Sequence, residues 1–502
     1  MKQLTKLLLL IILSFVYAAQ PTIEIAHLDH NWYPSESALL KTKISSLTKA
    51  AEATFSANLN SKAIQALIVP HASYNYSGTV AASVYRLCNP NIKKIIILAP
   101  AHTIAFTGIA LPAFDTYQTP LGAVKVQTAD IQKLATHKLF HINKTVYKKE
   151  HSLEIQLPLI QTFFHKDVTI VPLIVGKINC QQASLVAQAI KPLIDAQTLC
   201  LISTDFTHHG KHFNFEPFTE QVDLNIQKLD SQAVELIEAG KCAPFAEFIH
   251  KTGATICGAN PLKILLALLE TQAFGLVEPR FIAYDTSLRQ ANQKANASVS
   301  YIGMLFTTEK LSSVPFENKL TQQEQRALLT AANNLLTNLF DSKIDKDLWL
   351  PIKSFGLKQP YGAFTTLEKN TKTGKQLRGC IGRITSKQPL YQTTATVTQE
   401  AALADNRFKP VQKSELPNIK LKLSILSPLT AITNYRDIVI GKHGVVLENN
   451  GHSALFLPEV ATEFNWSLTE LLTQLSKKAN LPSNTWKDPN TKFKVFTTIV
   501  TN

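Results

Sequence analysis

The hydrophobic pattern changes character about two thirds of the way along the chain. Up to about residue 307, runs that are apolar at nearly every position alternate with stretches in which apolar residues recur at helical spacing. The apolar runs read AIQALIVP, KKIIILAP, VTIVPLIVG, TLCLIST and VSYIGMLFT. Strands of a parallel sheet are covered by helices on both faces and are therefore apolar on both faces. The alternation predicts an α/β domain with a mostly parallel sheet flanked by helices.

A polar stretch, TTEKLSSVPFENK, follows this region and leads into a helical pattern, TQQEQRALLTAANNLLTNLF. Beyond it the strands become shorter, as in YGAFTTLEK, KLKLSILSPL and GVVLENN, with two helical stretches among them. This mixture predicts a smaller α+β domain. We expect an α/β domain over 19–307, a linker over 308–320 and the α+β domain over 321–502.

The N-terminus, MKQLTKLLLLIILSFVYAAQ, has the composition of an export signal. Two lysines precede a short apolar run, and small residues follow it at a signal-peptidase spacing. The run is too short to span a bilayer comfortably. We expect cleavage after residue 18 and a periplasmic or secreted protein without stable membrane insertion; an uncleaved anchor is the alternative.

Composition narrows the class of protein further. The chain has 502 residues, long enough for two or three domains, and a formal net charge of +14. The basic residues form no stripe interleaved with aromatic residues, so we expect no nucleic-acid partner. Six cysteines are present without a CxxC pair, which leaves their pairing open.

Candidate chemistry lies where the predicted strands end. His71 follows the first strand, His102 follows the second, and Asp205 and His208 follow TLCLIST. Because the carboxyl ends of parallel strands meet at one edge of the sheet, these side chains are expected to lie together. The alternative is that each histidine donates to a backbone carbonyl.

Two further segments add candidates to this edge. KEHSLEIQLP places Glu150, His151 and Glu154 at a predicted helix start, and TICGANP places Cys257 near another. Two imidazoles with one thiolate or carboxylate make an open site for iron, zinc or copper. Alternatively, Glu150 caps its helix, Cys257 is a buried hydrophobe and Tyr74 only packs. A disulfide between Cys242 and Cys257 would destroy such a site.

The motifs NWYP, PHASYNYSG, APAHT, EHSLEIQLP, STDFTHHG and TICGANP occur in an order and spacing that resemble the Memo-like family. The resemblance covers roughly residues 25–307 and implies the fold of class III extradiol ring-cleaving dioxygenases. It implies copper or iron as the cofactor, with zinc as a further candidate. The site residues that it implies are metal ligands His71, His102 and Cys257, and catalytic residues His208, Asp205 and His151.

A thiolate in place of the carboxylate of the dioxygenases shifts the metal preference towards copper. The leading hypothesis is therefore a secreted metal-dependent redox enzyme acting on a small molecule. The competing hypothesis is an adaptor that binds a metal or a peptide without turnover. Metal-free hydrolysis through Cys257 or Cys380 is a third.

The second region resembles the AMMECR family through YGAFTTLEK, LRGCIGRI, DNRFKPV, GKHGVVL and WKDP. In LRGCIG, Arg378 is a candidate anion ligand and Cys380 a candidate nucleophile, with His443 as its base. The alternative is a buried Cys380 with Arg378 tied to a carboxylate. Memo-like and AMMECR proteins are components B and A of the AmmeMemoRadiSam system, and this chain resembles the two components fused. That system implies a functional link to a radical S-adenosylmethionine enzyme, whose CxxxCxxC motif is missing from this sequence.

Overall fold

The computed structural model describes residues 22–55, 59–291, 297–340, 354–371 and 374–502. The predicted signal, residues 1–18, lies outside these ranges. Within them, no helix is both long enough and apolar enough to cross a membrane.

The first domain has a single large sheet with helices packed against it. Its described strands are β1 (Ile23–Ile25), β2 (Ile64–Val69), β3 (Lys94–Pro100), β4 (Ile109–Leu111), β5 (Thr116–Thr119), β6 (Gly122–Val126), β7 (Phe140–Ile142), β8 (Thr169–Val175), β9 (Thr198–Ser203), β10 (His208–His209), β11 (Glu278–Thr286) and β12 (Ser298–Thr307). Its described helices are α1 (Ser37–Thr54), α2 (Gly78–Tyr85), α3 (Thr128–Leu134), α4 (Lys144–Tyr147), α5 (His151–Glu154), α6 (Leu157–Phe163), α7 (Cys180–Ile190), α8 (Val222–Glu238), α9 (Cys242–Thr252), α10 (Ala259–Glu270) and α11 (Ser287–Ala291).

The centre of this sheet is parallel, as the sequence predicts. The strand order is β1-β5-β6-β8-β3-β9-β2-β12-β10, and β6, β8, β3, β9 and β2 are mutually parallel. β12 runs antiparallel between β2 and β11. The central strands are buried at nearly every position, because helices cover both faces. β2, β9 and β3 are adjacent, so their carboxyl ends share one stretch of the sheet edge.

One predicted helix is divided in two. The sequence pattern SLEIQLPLIQTFF predicts a continuous helix, whereas α5 ends at Glu154 and α6 begins at Leu157. Pro158 stands in the first turn of α6, where its missing N–H costs nothing. The break leaves α5 as a single turn that faces the carboxyl edge of the sheet.

The second domain has two small antiparallel sheets. Its described elements are α12 (Gln322–Asn338), β13 (Gly362–Thr371), β14 (Gly374–Arg383), α13 (Leu390–Leu403), β15 (Ile419–Leu426), β16 (Thr430–Ile432), β17 (Gly444–Asn449), β18 (His452–Phe456), α14 (Pro458–Glu463), α15 (Leu468–Lys478), β19 (Lys492–Phe496) and β20 (Thr498–Thr501). The sheets have the orders β14-β13-β15-β20 and β16-β19-β17-β18. The prediction of a smaller domain with mixed helices and strands is confirmed.

The segment predicted as a linker packs against its surroundings. Residues 308–320 contain two short 3₁₀ turns, and Leu311, Val314 and Leu320 are buried. Nearby, the Glu238 carboxylate at the end of α8 accepts the Phe355 N–H at 2.8 Å and pairs with Lys358 Nζ at 3.2 Å. Burial raises the pKa of Glu238 to about 7. The junction between the domains is therefore ordered by buried polar contacts.

Candidate metal centre and cleft

Three histidines come together beyond the carboxyl ends of the central strands. His71 follows β2 and His102 follows β3, while His151 opens α5. The ring centroids lie 5.1 Å apart for His71 and His102, 5.4 Å for His71 and His151, and 4.4 Å for His102 and His151. The sequence predicts that His71 and His102 lie together after the strand ends, and they do. The break after α5 brings His151 to them as well.

The ring of His71 is held in one orientation by a buried hydrogen-bond chain. Its Nδ1 lies 3.0 Å from Ser203 Oγ. That hydroxyl donates its proton to the Ser152 carbonyl at 2.6 Å and accepts an N–H from Gln156 at 2.9 Å. Because the hydroxyl proton is already used, His71 Nδ1 must be the donor. Nε2 therefore carries the lone pair, and it lies 3.1 Å from Cys257 Sγ.

Glu150 orients His102 in the same way. Its carboxylate accepts the backbone N–H of His102 at 2.6 Å and lies 2.8 Å from the ring Nδ1. Although burial opposes ionisation, the hydrogen bonds from the ring and backbone of His102 lower the pKa of Glu150 to about 2. The carboxylate also accepts the Ser152 N–H at the start of α5, so the helix-cap interpretation is confirmed. His102 Nε2 is left free to bind an ion.

His151 completes a group of imidazoles suited to a metal ion. One ring nitrogen from each of His71, His102 and His151 lies within 4.8 Å of the other two. Burial and the neighbouring His102 lower the pKa of His151 to about 4, and burial lowers the pKa of His71 well below its usual range. Neutral imidazoles are the form that binds metals.

Cys257 is a free thiol beside this group. Its Sγ accepts the Asp205 N–H at 3.2 Å, and burial raises its pKa. The disulfide of the structure joins Cys180 to Cys242, so the damaging Cys242–Cys257 pairing does not occur. Ligands about 2.0 and 2.3 Å from one tetrahedral ion lie about 3.5 Å apart. The His71–Cys257 separation of 3.1 Å is close to that value, so this pair of donors fits a transition metal.

Asp205 and His208 also lie close to His71. Asp205 Oδ1 accepts the His71 N–H at 2.7 Å and the Ala72 N–H at 3.3 Å, and burial raises the pKa of this carboxyl. His208 Nδ1 lies 2.8 Å from the Phe206 carbonyl and 3.0 Å from that of Thr255. Nδ1 is therefore the protonated nitrogen, and Nε2 is a proton acceptor.

A cleft of about 670 Å³ opens beside these groups. Aromatic residues and potential acid–base groups share its walls, among them Trp32, Tyr76, Asp205, His208, Phe213 and Tyr301. His151 also lines the cleft, and its ring lies tilted against that of Trp32, with the ring centroids 4.6 Å apart. Among the described residues that line the cleft, none is lysine or arginine. The cleft is therefore suited to a planar ligand of low negative charge.

Glu154, a further candidate in KEHSLEIQLP, is a buried carboxylate that holds one wall of this cleft. Glu154 is fully buried and accepts the N–H groups of His27 and Leu28 and the hydroxyls of Tyr33 and Tyr117. The His27 ring pairs with it at 2.6 Å. These bonds fix the segment that carries Trp32.

Tyr74, named from the sequence as a packing residue, has that role. It is buried, and its hydroxyl donates to the Ile155 carbonyl at 2.8 Å.

The second-domain candidates are not assembled into a catalytic group. Arg378 forms a two-point ion pair with Glu415, at 3.1 and 2.9 Å. This contact matches the alternative in which Arg378 is tied to a carboxylate, and it replaces the interpretation of Arg378 as an anion ligand. Cys380 is half-buried, and its N–H donates to Asp405. His443 Nδ1 accepts the N–H of Val439, and its described contacts do not include Cys380. The proposed nucleophile–base pair is therefore not formed.

The fold and the centre define a class of protein: a mixed α/β domain with imidazoles and a thiol at the carboxyl edge of a largely parallel sheet, followed by a smaller domain. The chain belongs to the Memo-like family, which residues 26–305 match. Residues 322–501 match the AMMECR1 family, so the two regions stand in tandem.

Individual relatives cover the first domain. The protein memo-1 homolog of Caenorhabditis elegans is 32% identical over 254 residues, which are 48% of this chain and 72% of that protein. Human MEMO1 is 29% identical over 282 residues, covering 54% of this chain and 93% of MEMO1. An uncharacterized protein of known structure from Pyrococcus horikoshii is 29% identical, with 36% of this chain and 92% of that chain covered and a TM-score of 0.33.

Proposed function

We propose that this chain is an exported, metal-dependent redox protein that acts on a small aromatic or otherwise oxidisable substrate. In the proposed centre His71, His102 and Cys257 hold copper or iron, with zinc as a further candidate. The observation that carries the proposal is the convergence of oriented imidazoles, with a thiol beside His71, next to a cleft that His151 lines. A bound copper or iron ion would supply one-electron chemistry there.

The protein's own groups would bind the substrate and move its protons. The tilted Trp32–His151 pair and the edge-to-face His208–Phe213 pair, whose ring centroids lie 5.0 Å apart, offer aromatic surfaces for a planar ring. His208 would accept a substrate proton at Nε2, since its Nδ1–H is held by backbone carbonyls. Asp205 would act by positioning His71. Its hydrogen bonds to the His71 and Ala72 backbone support that role.

Two ligand sets compete for the ion, and each predicts a different behaviour. If Cys257 is the third ligand, His151 faces the cleft and transfers protons. If His151 is the third ligand, Cys257 stays a neutral thiol hydrogen-bonded to His71. Softer thiolate ligation favours copper, and three imidazoles suit zinc, copper or iron alike.

The test is elemental analysis of the purified full chain beside single variants. Under the proposal, His71→Ala and Cys257→Ala lose near-stoichiometric metal, whereas His151→Ala keeps it and loses activity. Metal retained in Cys257→Ala but lost in His151→Ala would replace the proposed ligand set. Protein that stays metal-free after anaerobic reconstitution would refute the redox function.

One observation favours a second function, metal or peptide binding without turnover. His151 groups with His71 and His102, and Cys257 Sγ lies 3.1 Å from His71 Nε2. A thiol that joined the three imidazoles on one ion would give four protein ligands and close the coordination sphere. Spectroscopy of the metal-loaded protein would decide between them. A coordination position open to added azide or cyanide supports catalysis, and four protein ligands without one support the binding function.

We further propose kinship with the class III extradiol dioxygenases, because imidazoles gather at the carboxyl edge of a largely parallel sheet. The Cys180–Cys242 disulfide supports export, since disulfides persist mainly in oxidising compartments. The tandem regions support a link to a radical S-adenosylmethionine enzyme. Cell fractionation tests the export, and an unprocessed protein confined to the cytoplasm would contradict it.

A further inference from the structure

A second cavity, of about 720 Å³, lies at the same edge of the sheet beside β8. Lys177 and Lys263 contribute to its walls, together with Thr107, Asn179 and Cys180. Within the described part of the chain, no carboxylate lines this cavity. Two ammonium groups that share a cavity without a carboxylate repel each other, and an anion bound between them would offset that repulsion.

Lys263 is held in place rather than free to swing into solvent. Its Nζ donates to the Ile178 carbonyl and to Asn260 Oδ1, each at 3.0 Å. An ammonium has three N–H donors, so one remains for a ligand. Burial, with Lys177 as the second cause, lowers the pKa of Lys263. The half-buried amine is thus fixed beside a second cation.

The start of α7 adds donors to the same cavity. Asn179 caps the helix by accepting the Gln182 N–H at 2.8 Å. The N–H groups of the first helical residues, Cys180 and Gln181, have no acceptor within the helix. Their partial positive charge has the same sign as the lysines. The disulfide from Cys180 to Cys242 fixes this helix start against α9.

We propose that this cavity binds a phosphate-type dianion, either inorganic phosphate or a phosphate monoester. Lys177 and Lys263 neutralise its two charges, and the α7 start and the Thr107 hydroxyl donate to its oxygens. The site is separate from the metal centre but joined to it through the chain. Thr107 follows His102 in the β3–β4 connection, and Lys263 lies in α10, which begins two residues after Cys257.

The experiment is calorimetric titration of the full chain with inorganic phosphate, against sodium chloride of equal ionic strength. We expect saturable binding that weakens at least tenfold in the Lys177→Met/Lys263→Met double variant. Lys191→Met is the matched control, because Lys191 also donates to a backbone carbonyl of this domain, at 2.7 Å, outside the cavity. It should bind phosphate as the wild type does.

A second titration, with glycerol phosphate, distinguishes the two sources of the ligand. Tighter binding of the ester identifies a phosphorylated small molecule, and tighter binding of the free ion identifies phosphate itself. The proposal is overturned if phosphate gives no saturable binding. It is equally overturned if the double variant binds as tightly as the wild type, because the ion would then occupy another site. Neither result depends on metal loading, so the proposed function is tested separately.

Discussion

Removing the Cys180–Cys242 disulfide should greatly weaken the first domain. The bond closes a loop with a sequence separation of 62, which contains β9, β10 and α8 together with Asp205 and His208. Loop-closure entropy for that length amounts to about 4 kcal/mol at room temperature, with 2–4 kcal/mol typical of measured disulfides. A loss of about 4 kcal/mol raises the population of the open state roughly a thousandfold.

The assay uses two thiols as reporters. Cys88 and Cys200 are free and buried in the first domain, so an alkylating reagent reaches them only when the domain opens. In a denaturant series followed by mass spectrometry, the Cys180→Ser/Cys242→Ser variant should label both residues at a much lower denaturant concentration than the wild type. Cys380→Ser in the second domain is the control and should leave the midpoint unchanged. A shift worth less than about 1 kcal/mol would refute the loop-closure reasoning.

Three further substitutions test individual contacts of the structure. Glu150→Gln should weaken metal affinity about 10–100-fold in a chelator competition, because the His102 imidazole loses the carboxylate that orients it. The control Glu247→Gln, at an exposed position, should have no effect. Since burial raises the pKa of Glu238 from 4.5 to about 7, its stabilising contribution is complete below pH 4.5 and disappears as the pH rises through 7. Glu238→Gln should therefore remove a decline of about 3 kcal/mol between these pH values in denaturation series. Gly258→Ala places a methyl group against the Thr204 side chain, and a lower Tm together with loss of metal is expected.

The fold and half of the centre could be read from the sequence because they depend on local patterns. Continuous apolar runs indicate buried parallel strands, and β2, β9 and β3 are neighbours, so residues after their ends had to meet. That argument needs no knowledge of side-chain contacts. It placed His71, His102 and Asp205 correctly at one edge.

The remainder depended on contacts between segments far apart in sequence. The contact between the Trp32 and His151 rings depends on the position of the segment that carries Trp32. Glu154 holds that segment by accepting the backbone N–H groups of His27 and Leu28, more than 120 residues away. The pairing of Cys180 required the relative positions of the starts of α7 and α9, which no spacing rule gives.

Composition also does not show how the predicted linker packs. Residues 308–320 are polar on average, and composition does not show that isolated apolar residues such as Leu311 are buried.

The centre draws its parts from nearly the whole first domain. Its Cys257 and His71 are separated by 186 residues, and its Trp32 wall comes from still earlier in the chain. During synthesis the site cannot exist until residue 257 has emerged and the sheet has closed around it, because each donor is held by a different strand end or helix start. Uptake of the proposed metal ion must therefore be a late event in the life of the polypeptide. A chain truncated before α10 lacks Cys257 and the packing that supports it, however much of the sheet it retains.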